Sequence, residues 1–250
     1  MSGILQPRST RLAISVEPED ASGGGATVPR FIFMLTRNDS TIREARALVD
    51  VAVAAGVRHV GAKDVGLAPR ELASLYADLR DAGCTTYLEV VSERPAEALR
   101  SAETAVRLRP DYLIGGVQID AIATIIAGSG VRFFPYVGHV VGHPCLLRGT
   151  IDEIVGDART APAAGVDGIN LLAYRFDGDV EDLITRVQEA VRIPVLCAGS
   201  VDSAARIRAL RQRGVWGFTV GTAVLDGVIV PGRPLADQLR AVIRLAAEGA

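Results

Sequence analysis

The sequence predicts a single (β/α)8 barrel over residues 31–250, and three observations carry that prediction. Eight short apolar or β-branched runs alternate with longer segments of helical period from Phe31 onward. The runs are apolar throughout, as strands of a parallel sheet covered on both faces tend to be. The same punctuation also returns before successive runs, as Ala55-Gly56-Val57, Ala82-Gly83-Cys84, Gly130-Val131, Ala164-Gly165-Val166 and Arg213-Gly214-Val215. Each of these puts a glycine where a helix must stop.

Residues 1–30 read as an N-terminal extension, because Pro7, Pro18, Gly23-Gly24-Gly25 and Pro29 interrupt any period; Leu12–Val16 is long enough for a short strand closing one end of the fold. The expected strands follow as Phe31–Thr36, Val57–Ala62, Thr85–Val91, Tyr112–Val117, Arg132–Val137, Val166–Leu172, Pro194–Ala198 and Gly217–Val220. Their starts are on average about 26 residues apart, near the ~30 of a βαβ unit. Between them, Thr41–Ala55 carries Ala45, Leu48, Val49, Ala52 and Ala55 at the three-and-four spacing of one buried helix face. Pro69–Ala82, Pro95–Leu108, Val180–Val191, Ser203–Arg213 and Pro234–Ala247 read the same way. An open doubly wound sheet is the alternative, but Thr36-Arg37-Asn38-Asp39-Ser40 stands where its glycine-rich loop would follow the first strand.

Composition narrows the function classes. At 49% hydrophobic residues the chain can bury a full core, and its net charge of −2 lacks the basic excess of a nucleic-acid-backbone binder. Cys84, Cys145 and Cys197 are odd in number and widely separated, which argues against a disulfide framework or a structural zinc site and fits a reducing cytoplasm. No uncharged apolar run approaches the roughly 20 residues of a membrane span. The expected partner is a phosphorylated small molecule, with no nucleic acid, no membrane and no cofactor; the apolar Val228-Ile229-Val230-Pro231 loop is a candidate contact for a homo-oligomer.

In a parallel barrel the loops after the strands share one face, so polar residues at the strand ends converge there. Past strand seven come Gly199 and Ser200, and past strand eight Gly221 and Thr222. Glycines there let the backbone approach a ligand, and free N–H groups at a following helix start suit a dianion. After strand two comes Lys63, whose burial would lower its pKa toward an acid, base or imine-forming range. Glu89 interrupts the otherwise apolar third strand, and barrel closure would bring it beside Lys63, either as an ion pair filling the barrel or as an acid/base pair under the substrate. Asn170 on strand six and His139 after strand five complete the catalytic candidates, while Arg175 and Asp39 are candidate substrate contacts. No metal site is expected, since Gly138, Gly142 and Pro144 break the helix that His139 and His143 would need to share. Gly115-Gly116 makes room either for ligand or for a neighbouring side chain.

Val220-Gly221-Thr222-Ala223 resembles the strand-eight phosphate signature of the ribulose-phosphate-binding barrel superfamily, which includes barrels of histidine and tryptophan biosynthesis. Ala198-Gly199-Ser200 has one glycine where many members have two. The resemblance implies a phosphate monoester held near Gly199, Ser200, Gly221 and Thr222, and leaves the reaction open. The histidine-biosynthesis pair carries aspartates at the ends of strands one and five, where this chain has Arg37-Asn38-Asp39 and Val137-Gly138-His139.

These readings lead to an enzyme acting on a small phosphorylated sugar or sugar acid, of isomerase or carbon–carbon lyase (aldolase) type, with Lys63 and Glu89 as acid and base or through an imine. The alternatives are an FMN-dependent oxidoreductase and a non-catalytic regulator that binds a phosphorylated metabolite.

Overall fold

A computed structural model describes residues 28–92 and 94–248. The Leu12–Val16 segment, and all but the last three residues of the expected extension, lie outside the described residues. Eight parallel strands form the sheet: β1 Arg30–Met34, β2 His59–Lys63, β3 Thr85–Val90, β4 Tyr112–Gly115, β5 Arg132–Phe134, β6 Ile169–Leu171, β7 Val195–Cys197 and β8 Gly217–Val220. Their order is β6-β7-β8-β1-β2-β3-β4-β5. The two ends meet through a parallel bridge between Tyr136 and Asn170, with Asn170 N–H donating to the Pro135 carbonyl at 2.7 Å, so the sheet closes on itself. The predicted barrel is therefore present, and the open sheet is not.

Helices α1 Val49–Ala54, α2 Pro69–Asp81, α3 Pro95–Leu108, α4 Ile119–Ile126, α5 Ile151–Thr160, α6 Val180–Ala190, α7 Ala204–Gln212, α8 Thr222–Leu225 and α9 Leu235–Ala247 surround the strands. Local chemistry sets their starts. Proline opens α2 and α3, where its missing N–H costs no bond. Asp179 caps α6 by accepting from the N–H groups of Glu181 and Asp182, and Thr150 forms a capping box with Glu153 at α5. The first helix begins later than its period suggests, because residues 45–48 form a 3-10 turn before α1. Helices α4 and α5 have no counterpart in the sequence-based expectation.

Two packed layers result. Between strands and helices lies a continuous apolar shell that includes Phe33, Leu75, Leu88, Leu113, Ile184 and Phe218. Inside the barrel, Ile32, Met34, Tyr87, Tyr112, Ile114, Phe134 and Leu196 fill the lower part, with Tyr87 and Tyr112 stacked at 4.7 Å. Side chains alternate sides along each strand, so residues two positions further on face the barrel mouth. Glu89 stands two positions beyond Tyr87, Tyr136 two beyond Phe134, and Lys63 two beyond Gly61.

Candidate active site

In the register of β2 against β3, Lys63 stands directly opposite Glu89. Strand β1 does not run to Thr36 as expected. It stops at Met34, and Thr36–Arg37 pairs antiparallel with Ser40–Thr41 in a tight hairpin. Asn38 and Asp39 occupy its turn with φ of 49° and 60°, the left-handed pair that a two-residue hairpin requires and that asparagine and aspartate tolerate best. The turn delivers the Asp39 carboxylate into the mouth.

The result is an unbroken chain of charges. Arg175 donates to both oxygens of Asp39 at 2.8 Å, Lys63 Nζ lies 2.6 Å from Asp39 Oδ1 and 3.3 Å from Glu89 Oε2, and the Tyr136 hydroxyl donates to Glu89 Oε1 at 2.7 Å. Lys63, Asp39 and Glu89 are each about 5% exposed and Arg175 is 16% exposed at its side chain. Two cations balance two anions, as a buried cluster must. Counting residues shows that Lys63 is the only lysine in the chain, against 26 arginines. That count was available in the sequence and marks the position more sharply than the strand pattern does.

The electrostatics correct one expectation. Burial does push Lys63 downward, but the charges of Glu89 and Asp39 and the Asp39 hydrogen bond outweigh it, and its pKa lies above the ordinary lysine value. Lys63 is a held ammonium. Asp39 is likewise pushed up by burial, yet the Arg175 hydrogen bond and Lys63 bring it far below the usual carboxylate range. A group so firmly ionised orients its neighbours and carries no proton.

These groups lie at one side of a cavity of about 660 Å³. Gly199, Ser200, Gly221 and Thr222 line it as well, so the two loops picked from sequence do converge on the same space as Asp39, Lys63, Glu89 and Arg175. The glycines have structural work of their own. Gly199 has φ +77°, and a Cβ there would sit 2.6 Å from Arg175 Nε, so Arg175 lies across the β7 loop on its way to Asp39. A Cβ on Gly221 would meet the Thr36 carbonyl at 2.7 Å. Thr222 Oγ1 accepts from the Asn38 N–H at 3.3 Å, which leaves its own proton free to face the cavity.

No family model matches the chain, and no curated protein matches it. Solved structures do. A native KDPGal structure aligns at TM-score 0.63 with 15% identity over 89% of this chain and 96% of that one. The phosphoribosylanthranilate isomerase from Thermotoga maritima aligns at 0.60 with 15% identity over 88% and 98%, and the N-acetylmannosamine-6-phosphate 2-epimerase from Clostridium perfringens at 0.57 with 11% identity over 81% and 88%. What these likenesses share with the chain is the fold, a (β/α)8 barrel.

Within this barrel, two catalytic candidates stand apart from the cavity. Asn170 is fully buried on β6, two residues before cavity-lining Leu172, and both polar atoms of its amide lack a partner among the described residues. His139 does not reach the site. The chain leaves β5 into a surface hairpin of His139–Val141 with Leu146–Arg148, which holds His139 exposed and off the cavity lining. Residues that sequence reasoning missed are Tyr136 and the cavity-lining Asp202. Tyr136 sits in a run that reads as core, whereas Asp202 pairs at 2.8 Å with Arg206 on α7. Among the described residues no group of three metal-ligating side chains occurs, and no helix is long and apolar enough to cross a membrane.

Proposed function

We propose that the chain is an enzyme acting on a small phosphorylated sugar or sugar acid, moving a proton beside a carbonyl or cleaving the adjacent carbon–carbon bond. The observation that carries this reading is the Arg175–Asp39–Lys63–Glu89 chain on the same cavity as the β7 and β8 loops. The phosphate rests against Gly199-Ser200 and Gly221-Thr222, where backbone N–H groups and two hydroxyls serve as donors. The substrate carbonyl lies at Lys63 Nζ. As charge develops on that oxygen the buried ammonium, already in place, stabilises it. Glu89 takes the proton from the neighbouring carbon and returns it to the product. Asn170 is fully buried and off the cavity lining, and makes no substrate contact in this reading. Asp39 and Arg175 fix Lys63. His139 has no part in it.

The held ammonium favours polarisation of the carbonyl. Imine formation, the route of a lyase, remains a second reading because the only lysine of the chain stands beside a carboxylate able to shuttle protons. Borohydride added during incubation with a carbonyl substrate separates the two. A reduced adduct on the Lys63 peptide means an imine, and turnover without an adduct means polarisation.

The test of the substrate class is a thermal-shift screen that pairs each sugar phosphate with its unphosphorylated parent in phosphate-free buffer, on the wild type and on Thr222→Val. Binding to the native state raises stability by mass action. Shifts confined to phosphorylated members and weakened in the variant support the reading. No shift with any phosphate ester would withdraw it. Binding without turnover in the wild type would point to a metabolite sensor, and yellow colour in the purified protein to a flavin oxidoreductase.

A further inference from the structure

We propose that Tyr136 is a positioning residue for Glu89: its phenol fixes one carboxylate oxygen so that the other is presented to Lys63 and the cavity. The inference rests on the functional reading above, in which Glu89 moves a proton, and adds the group that sets its geometry. Three observations support it. The hydroxyl donates to Oε1 at 2.7 Å while Lys63 faces Oε2 at 3.3 Å, so the two oxygens of Glu89 have different partners. Tyr136 is 4% exposed and does not line the cavity, so its hydroxyl is committed to Glu89 and not to a ligand. The third observation is the space kept open for the ring.

A Cβ on Gly115, at the end of β4, would sit 3.0 Å from two ring carbons of Tyr136. The paired glycines at the end of β4 thus answer a question their sequence leaves open: Gly115 makes room for the Val90 carbonyl, 2.6 Å from where its Cβ would sit, and for the tyrosine ring, while a Cβ on Gly116 would meet Ile122 at 2.7 Å. A phenol in an apolar wall needs a partner. Here the partner is the one carboxylate of the cluster that shares a single cation. Asp39 has two cations, whereas Glu89 has one cation and one neutral donor, so its orientation depends on the hydrogen bond. The charged and titratable groups that act on or pair with Glu89 are Lys63 and Asp64 from the β2 end, Tyr136 after β5, Cys145 on the second hairpin's loop, and Arg175 after β6.

Because Lys63 is the only lysine, a protein labelled with 15N at the lysine side chain gives one Nζ signal, and that signal reports the charge beside it. The experiment follows it against pH in the full chain, wild type and Tyr136→Phe. A hydrogen bond to an ionised carboxylate favours the charged form, so the pH response seen at Lys63 should move to higher pH in the variant. A midpoint that stays within about 0.3 units would overturn the proposal and leave Tyr136 a packing residue. Should Tyr136→Phe fail to fold, Glu89→Gln in protein carrying 13Cζ-tyrosine replaces it. One of the five tyrosine signals should titrate together with the Lys63 signal in the wild type and stop doing so in the variant; no coupled signal overturns the proposal. None of these readouts needs substrate, so failure here leaves the sugar-phosphate reading to its own screen.

Discussion

Asp39→Asn removes one negative charge from the most buried ion cluster among the described residues and leaves Lys63 and Arg175 facing each other with only Glu89 to balance them. Breaking a buried pair by deleting one partner costs about 3 to 5 kcal/mol. For a chain of this length, with about 2–4 °C of melting temperature per kcal/mol, the expected fall is about 10 °C at pH 7. The pH dependence gives the sharper check. Asp39 is held far below its unfolded value by Arg175 and Lys63, so the stability it contributes is fully present above the unfolded carboxylate value of about 4 and is lost as pH falls through the folded one. The gap between wild type and variant should therefore be constant from pH 7 to about 4 and narrow below that. Thermal unfolding across that range, with urea unfolding at pH 7 as a second measure, tests it. A variant as stable as the wild type at neutral pH, or a gap that stays constant to the lowest pH at which both fold, would refute the reasoning.

Lys63→Met should abolish turnover while leaving affinity for the sugar phosphate within a few-fold, measured by calorimetry; equal loss of both would contradict the division between anchor and chemistry. Gly199→Ala places a methyl group against a pinned Arg175 and at φ +77°, and should lower stability by about 1–3 kcal/mol and weaken ligand binding with it. His59 is held to a pKa of about 4 by burial and by Arg30, so its neutral form stabilises the fold above pH 6.5, and that contribution is lost as pH drops from 6.5 toward 4. His59→Gln should flatten the melting-temperature slope in that window, and an unchanged slope would assign it to other groups.

The barrel was legible because parallel strands covered on both faces are uniformly apolar and because glycine ends so many of the helices; both are local signals. The Lys63–Glu89 pair was legible for the same reason, since a charge inside an apolar strand has few places to go. What the sequence hid depends on closure. Asp39 reads as a loop residue one turn late, and only the hairpin at Asn38-Asp39 folds it back over Lys63. Lys63 itself was expected to titrate low from burial alone, because two carboxylates from separate segments cannot be counted as its neighbours until the barrel exists. Tyr136 reads as core for want of its partner 47 positions away. His139 failed in the other direction, because the residues after β5 form a surface hairpin that no period announces.

The Thr36–Thr41 hairpin is fastened at both sides. Thr41 Oγ1 exchanges hydrogen bonds with the backbone N–H and carbonyl of Lys63 at 2.8 Å each, while Arg37 reaches Asp226 at 2.7 Å beyond α8 and Gly221 lies under Thr36. Barrel loops are commonly treated as exchangeable modules on a fixed scaffold, each open to replacement by itself. Here the first loop is a tie-beam between the second strand and the eighth. A library that varied it to accept a new substrate would release Lys63 and the β8 loop in the same stroke, so diversification of this mouth has to begin at the β7 loop, where Ser200 is exposed on the cavity rim.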